Sequence, residues 1–193
     1  MATSSLTVGR QTLAALRVFL VLTVLLGVLY PAAVWGVGRV AFHDQATGSL
    51  IRHDGRVIGS SLIGQRFTGP QWFHGRPSAT DYSGDASGGS NLAASDERQR
   101  AAVSARRNAL SRFGGTPPPD ALTMSASGLD PDISPAYARL QARTVAATRG
   151  LPVGTVQRLI DAATTGRAAG FLGEPRVDVL RLNLSLLRHT GEK

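Results

Sequence analysis

Hydrophobic patterning splits the chain at residue 39. Residues 18–38 contain no charge and are closed by Arg17 and Arg39. At about 1.5 Å rise per helical residue, such a run reaches roughly 30 Å, the thickness of a bilayer's hydrocarbon core. It is apolar on every face, which excludes an amphipathic surface helix. Tyr30 and Trp35 lie in its second half, as an aromatic belt would, Pro31 predicts a kink, and Ala32 and Gly36 form a small-xxx-small pair. A cleaved signal peptide competes, but its apolar core is usually shorter, about 7–15 residues. The pattern predicts 1–17 as an N-terminal tail, 18–38 as one transmembrane helix and 39–193 as one soluble domain. The tail carries Arg10 and Arg17 and no acid, but Arg39, Arg52 and Arg56 follow the run, so charge bias alone does not set the orientation; the very short tail before a single span favours a cytoplasmic N-terminus and an extracytoplasmic domain.

After the anchor the pattern breaks into short pieces. Residues 49–52 and 56–60 are β-favouring and flank Asp54-Gly55, a hairpin-turn pair. Residues 68–94 show no period, yet hold Trp72, Phe73 and Tyr82, which predicts an ordered loop packed by its own side chains. Ser95 as cap, with Asp96 and Glu97 in the first turn, predicts a helix through Leu110 to Phe113, stopped by Gly114-Gly115. Its apolar positions are mostly alanine, which places it on the surface. Pro117-Pro118-Pro119 predicts an extended linker. Ser134-Pro135 opens the clearest helix, with Tyr137, Leu140, Thr144, Val145 and Thr148 as its buried stripe and Gly150 as its stop. Val156, Leu159, Ile160 and Ala163 mark another over 155–165. Over 179–187 a helix capped by Asp178, with Val177 stapled onto Leu182, is preferred to a strand, although Leu180, Leu182, Leu184 and Leu186 alternate. The fold class expected is α+β: one N-terminal transmembrane helix, then one loop-rich mixed domain without internal repeats.

Composition removes several classes of function. The chain has no cysteine, hence neither disulfides nor thiolate metal sites. The net charge of +8 is carried by arginine, with Lys193 the single lysine. The cluster Arg98, Arg100, Arg106, Arg107 and Arg112 would surround a helix axis and has no stacking aromatics, so a solvated helix is expected and no nucleic-acid partner. His43, His53, His74 and His189 lack metal-ligand spacing. There is no G-x-S-x-G elbow, no phosphate-binding G-x-x-x-x-G-K-[ST] and no Asp-Lys-Thr-Gly. Two stretches carry possible chemistry. Ser87-Gly88-Gly89-Ser90-Asn91 is either an anion-binding nest of backbone N–H groups or a tight turn. Ser125-Ala126-Ser127-Gly128-Leu129-Asp130-Pro131 has the residues of a turn entering a helix.

In order along the chain stand Gly59-Ser60-Ser61-Leu62-Ile63-Gly64-Gln65 with Phe67, and Phe73-His74-Gly75-Arg76-Pro77-Ser78-Ala79-Thr80. The two Ser/Gly stretches follow, then Ile133, Gln141 and Arg149, then Gly173, Pro175, Val177 and Leu182-Asn183-Leu184. Together these resemble the C subunit of the Kdp potassium-transporting P-type ATPase, the KdpC family. The resemblance implies a non-catalytic accessory subunit of a bacterial inner-membrane potassium-uptake complex. The implied partners are a channel-like potassium-translocating subunit, a P-type ATPase subunit and a small membrane peptide. The family is described as necessary for assembly and as a catalytic chaperone that raises the ATP affinity of the ATPase subunit. On that description Ser87, Gly88, Gly89 and Ser90 resemble the ABC-transporter signature, with Ser90 where that signature has Gln, and Gln141 assists nucleotide binding. No cofactor of its own is implied, only ATP through the ATPase subunit.

Family-pattern positions without an implied chemical role are Gly64, Gln65, Arg76, Pro77, Ser78, Asn91, Ser127, Gly128, Leu129, Asp130, Pro131 and Asn183. Three positions depart from the pattern: Asp178 for a usual Asn, Thr144 for a frequent Arg (Arg143 is adjacent), and Met124 for a small residue. An outward-facing domain would hold Ser87 and Gln141 across the membrane from cytoplasmic ATP, so the expected effect on ATP affinity is allosteric. The alternative readings are an anchored extracytoplasmic enzyme or a nucleotide-binding module, either using the Ser/Gly-rich loops.

Overall fold

The computed structural model describes residues 3–190; Met1 and Ala2 of the expected tail, and Gly191, Glu192 and Lys193, lie outside the described residues. The chain forms two units, Met1–Ser49 and Leu50–Lys193.

In the first unit, α1 (Thr3–Val24) runs through a π-helical turn at Leu25–Leu29 into α2 (Tyr30–Ala41). The part long and apolar enough to cross a membrane spans Thr7–Ala41, so the uncharged run is the inner part of a longer helix. Pro31 lacks an N–H and its ring crowds the carbonyl four residues back, at Gly27. The helix absorbs this by widening: the Tyr30 N–H bonds to the Leu25 carbonyl, one residue beyond the α-helical partner. Thr23, polar within the apolar run, returns its hydroxyl to the Phe19 carbonyl at 2.7 Å. The Arg39 guanidinium lies 6.0 Å from the Trp35 ring centroid, an aromatic–basic pair at the end of the run. A short helix α3 (His43–Ala46) follows.

In the second unit, β1 (Leu50–His53) and β2 (Arg56–Ser60) form the expected antiparallel hairpin, with a bulge at Ile51/Arg52. Asp54 and Gly55 take φ of 48° and 77°, the left-handed pair a two-residue hairpin turn requires. α4 (Glu97–Leu110) leads into a 3-10 turn at Ser111–Phe113. Its cap is Asp96, not Ser95, because the Asp96 carboxylate reaches the Arg98 N–H at 2.8 Å. Only Leu110 of this helix is buried. The triple proline is not wholly extended: Pro119 opens a turn of helix, α5 (Pro119–Leu122), where its fixed φ and missing N–H cost nothing.

The core lies under α6 (Pro135–Arg149), α7 (Val153–Ala163) and α8 (Val179–Thr190). A small antiparallel sheet packs with them, in the order β3 (Asp132–Ile133), β5 (Arg176–Asp178), β4 (Thr164–Thr165). Thr164 and Thr165, expected at the end of a helix, pair with β5 instead, after the helix ends at Ala163. Phe73, Ile133, Tyr137, Val145, Val156, Ile160, Val177, Leu182 and Leu186 form one buried cluster. The buried face of α6 is rotated from the expected stripe: it holds Tyr137, Ala138, Gln141, Ala142, Val145 and Ala146, while Leu140 and Thr144 are half-buried and Thr148 is exposed. Small alanines let α7 approach closely, and Gln141 enters the core because its amide finds backbone partners there. α8 is a helix, the preferred reading, with Asp178 accepting from the Arg181 N–H at 2.8 Å as its cap. It buries Leu180, Leu182, Asn183, Leu184 and Leu186, so most of its circumference is covered; that is why its leucines alternate like a strand.

Candidate functional site

Between β2 and α4 the chain runs for more than thirty residues without helix or strand. A segment of this kind carries backbone N–H and C=O groups that must find partners elsewhere. Two buried amides supply them. Asn183 accepts from the Phe73 N–H at 2.9 Å and donates to the Phe73 carbonyl at 3.0 Å. Gln141 does the same for His74, accepting at 2.8 Å and donating at 3.1 Å. Both side chains are sealed, at 0% exposure for Gln141 and 1% for Asn183. A carboxamide presents one acceptor and one donor at peptide-like spacing, so each residue stands in for a neighbouring strand. These clamps, rather than loop side chains alone, seat Phe73 in the core. Arg149 fastens the same stretch, donating to the Gln71 carbonyl at 2.7 Å with its guanidinium 4.3 Å from the Trp72 ring centroid.

Further along, the loop closes on residues 125–131. Arg76 pairs with Asp130 at 3.0 Å and donates to the Met124 carbonyl at 3.3 Å. The Pro77 carbonyl accepts from the Ser125 N–H at 2.9 Å. Ser78 Oγ donates to the Gly128 carbonyl at 2.7 Å and accepts from the Tyr82 N–H at 3.0 Å. The Tyr82 hydroxyl donates to the Arg76 carbonyl. Burial pushes that phenol up to about 12, so it stays protonated and remains a donor. Gly64 donates its N–H to the Leu129 carbonyl at 2.8 Å, and a Cβ there would fall 2.4 Å from the Asp130 carbonyl oxygen. Gly128 sits at φ +71° with Thr80 Oγ1 and the Gly88 carbonyl 2.6 and 2.8 Å from where a Cβ would go. Gln65 donates to the Ile58 carbonyl at 3.1 Å, and the Pro131 carbonyl accepts from the Val179 N–H at 3.1 Å.

Ser87 Oγ and the Gly88 N–H both donate to the Ser127 carbonyl, at 3.1 and 2.8 Å. Ser127 Oγ in turn accepts from the Leu129 N–H at 3.1 Å. Among the described residues, only Asn91 of the stretch 87–91 has a left-handed φ, 52°. A nest alternates right- and left-handed residues to turn successive N–H groups inward; Ser87, Gly88, Gly89 and Ser90 do not supply the left-handed member, and Asn91 does. The N-terminus of α4 that follows is occupied by the Asp96 carboxylate, which fills the position an anion would take.

An open groove of 780 Å³ is lined by Ile51, Leu62, Leu159 and Leu184 together with Asp132, Asp178, Arg176, Arg181 and Arg188. Asp132 meets Arg176 at 3.0 Å and Asp178 meets Arg181 at 3.5 Å. Burial raises the pKa of both carboxylates, outweighing the arginines that pull the other way. Among the described residues no group of three His, Asp or Glu stands ready to hold a metal. The arginines of α4 and the turn after it have different engagements: Arg98 pairs with Asp96 at 2.8 Å, Arg106 donates to the Leu122 carbonyl at 2.8 Å, and Arg112 lies over Phe113.

The sequence motifs therefore converge on one self-bonded loop and its cradle. The family model described as "K+-transporting ATPase, c chain", KdpC, matches residues 12–188 of the chain. This chain belongs to the KdpC family. Relatives named "Potassium-transporting ATPase KdpC subunit" include one from Mycobacterium tuberculosis strain H37Rv, 50% identical over 93% of this chain and 98% of that protein. One from Gemmatimonas aurantiaca is 51% identical over 89% and 91%, and one from Caldanaerobacter subterraneus is 45% identical over 93% and 95%. A KdpC chain is one subunit of a K+-transporting ATPase, hence part of a multi-subunit assembly. Residues outside the motifs also hold the cradle. Asp120 accepts from both the Ser134 N–H and hydroxyl, at 2.7 and 2.9 Å, and so fixes the start of α6. No local spacing links residues fourteen apart across a turn, so no pattern pointed to Asp120.

Proposed function

We propose that this KdpC chain is a non-catalytic accessory subunit. It caps and stabilises the channel-like potassium-translocating subunit, and helps assemble it with the P-type ATPase subunit and a small membrane peptide. On this reading it spans a bacterial plasma membrane once, with the tail in the cytoplasm and the domain 39–193 outside. The observation that carries it is the use made of the residues offered for nucleotide chemistry. Gln141, Ser87 and Gly88 are spent on the chain's own backbone. Any rise in the ATP affinity of the ATPase subunit then comes through subunit contacts, as a coupling free energy between sites. The alternative of an anchored enzyme using the Ser/Gly-rich loops gains no support from Ser87 and Ser127, because the first bonds to a carbonyl and the second to a backbone N–H and the Ser125 hydroxyl.

Two experiments test this. Tagged full-length chain, solubilised in mild detergent, is expected to carry with it a P-type ATPase and a channel-like subunit; recovery of the chain alone overturns the reading. A C-terminal fusion to a reporter active only outside the cytoplasm is expected to be active. An inactive fusion, with a cytoplasmic reporter active in its place, reverses the orientation and reopens direct contact with ATP.

A further inference from the structure

The connection between β4 and β5, residues 166–175, takes no part in the core or in the loop cradle. It folds back on itself. The Ala168 N–H donates to the Leu172 carbonyl and the Leu172 N–H to the Ala168 carbonyl, both at 2.9 Å. Across the neck, Arg167 pairs with Glu174 at 2.8 Å. Ala169 and Gly170 turn the chain with φ of 52° and 82°, the first a conformation that costs a residue with a side chain. This braced turn holds Phe171 76% and Leu172 64% exposed. Among the described residues of the second unit they are the two most exposed large apolar side chains, and they are adjacent. Fixed backbone and bare side chains together are what a preorganised binding knob needs: little freedom is lost on docking, and the apolar area is still uncovered.

Building on the accessory-subunit reading, we propose that Phe171 and Leu172 dock into an apolar pocket on a protein subunit of the potassium-transporting complex. Charge decides between a protein and a lipid surface. Loops that enter an anionic membrane set unpaired Lys or Arg beside their apolar residues. Here the neck's one cation is already paired, and its partner Glu174 keeps its side chain 81% exposed, which an anionic surface repels. A protein pocket with a polar rim accepts such a neutral pair. Ala168, Ala169, Gly170 and Gly173 leave the flanks of the knob slim enough to enter. A second copy of this chain fits less well, because its large groove is lined by arginine–aspartate pairs.

The test uses the full chain expressed with its complex. Benzoylphenylalanine placed at position 171 is expected to photo-cross-link to another protein subunit. Phe171→Ser is expected to lower the fraction of chain retained in the detergent-purified complex about tenfold, as a buried aromatic anchor does. Val57→Ser, at another exposed apolar residue, is expected to change nothing. Cross-links to phospholipid or to a second copy overturn the proposal, and so does retention of Phe171→Ser equal to that of Val57→Ser. Should Phe171→Ser melt below the unchanged chain, the cross-link decides. If the unchanged chain brings down no partner subunits, the accessory-subunit reading itself falls and this inference with it. If it does and both variants match it, only the docking inference falls.

Discussion

Gln141 separates the clamp from the nucleotide role that the family resemblance offers it. Gln141→Met keeps the side chain's length and apolar packing but removes both bonds to His74. The His74 N–H and C=O are then stranded beneath the loop, each at a cost of about 1–3 kcal/mol. Partial access of water to His74 lowers the sum, so a loss of roughly 2–4 kcal/mol is expected. That is a large share of the ~5–15 kcal/mol by which domains are stable. At about 2–4 °C per kcal/mol for a domain of this size, the melting midpoint of full-length protein in detergent drops by roughly 4–16 °C. Amide hydrogen exchange at Phe73 and His74 accelerates in step, because both amides depend on the clamps. A nucleotide role alone predicts the reverse: unchanged stability with weakened ATP-analogue labelling. A loss below about 0.5 kcal/mol, the range of a neutral surface change, with unchanged exchange at His74, refutes the clamp.

Three further outcomes follow from the same geometry. Gly128→Ala forces a Cβ within 3 Å of Thr80 Oγ1 and the Gly88 carbonyl at φ +71°, so a loss of more than about 2 kcal/mol in urea unfolding is expected, whereas Gly84→Ala, with open space around it, stays close to neutral. Arg76→Met leaves Asp130 Oδ2 and the Met124 carbonyl, both half-buried, without their guanidinium partner, while Asp130 Oδ1 keeps the Asp132 N–H; the change is expected to cost about 1.5–3 kcal/mol and to speed proteolysis between residues 76 and 91. Burial holds the His74 pKa below its usual 6.5, although the Gly69 carbonyl opposes this. The unfolded chain then binds more protons than the folded one, so this stability is complete above about pH 6.5 and falls as pH drops through the window beneath it. His74→Gln is expected to flatten that part of the pH–stability curve, measured by urea midpoints. Asp132 and Asp178, raised by burial, act oppositely and at lower pH, where stability falls as pH rises.

Local chemistry made the hairpin, the long apolar helix and the starts of α6 and α8 legible in the sequence. Asp54-Gly55, Ser134-Pro135 and Asp178 each act within a few residues of themselves. The buried face of α6 was misplaced because hydrophobicity ranks Leu140 above Gln141. Burial of Gln141 is decided by two backbone groups sixty-seven residues away in sequence. Asn183 is similar, with its partner at a separation of 110 residues. The motif residues were identified by family pattern and by no spacing rule, since their function in the fold is to meet distant backbone. Strand β4 escaped detection because two threonines after a helix carry no alternation.

A long irregular segment is costly to order, yet this one is held by amides, a half-buried phenol, an Arg–Asp pair and glycines that nothing larger can replace. The same currency recurs along its course: side chains and turns supply what a neighbouring strand would have supplied. A sheet would have given those bonds more cheaply, but its surface would follow the pleat. Side-chain satisfaction leaves the outer contour free to take an irregular shape while its inner face stays rigid. Substrate turnover needs unspent polar groups, whereas partner recognition needs a contour fixed before contact. The chain spends its polar groups inward, at Gln141, Asn183, Ser78 and Tyr82, and keeps its boldest apolar pair, Phe171 and Leu172, outward on a braced turn. That distribution is what the proposed accessory-subunit role requires.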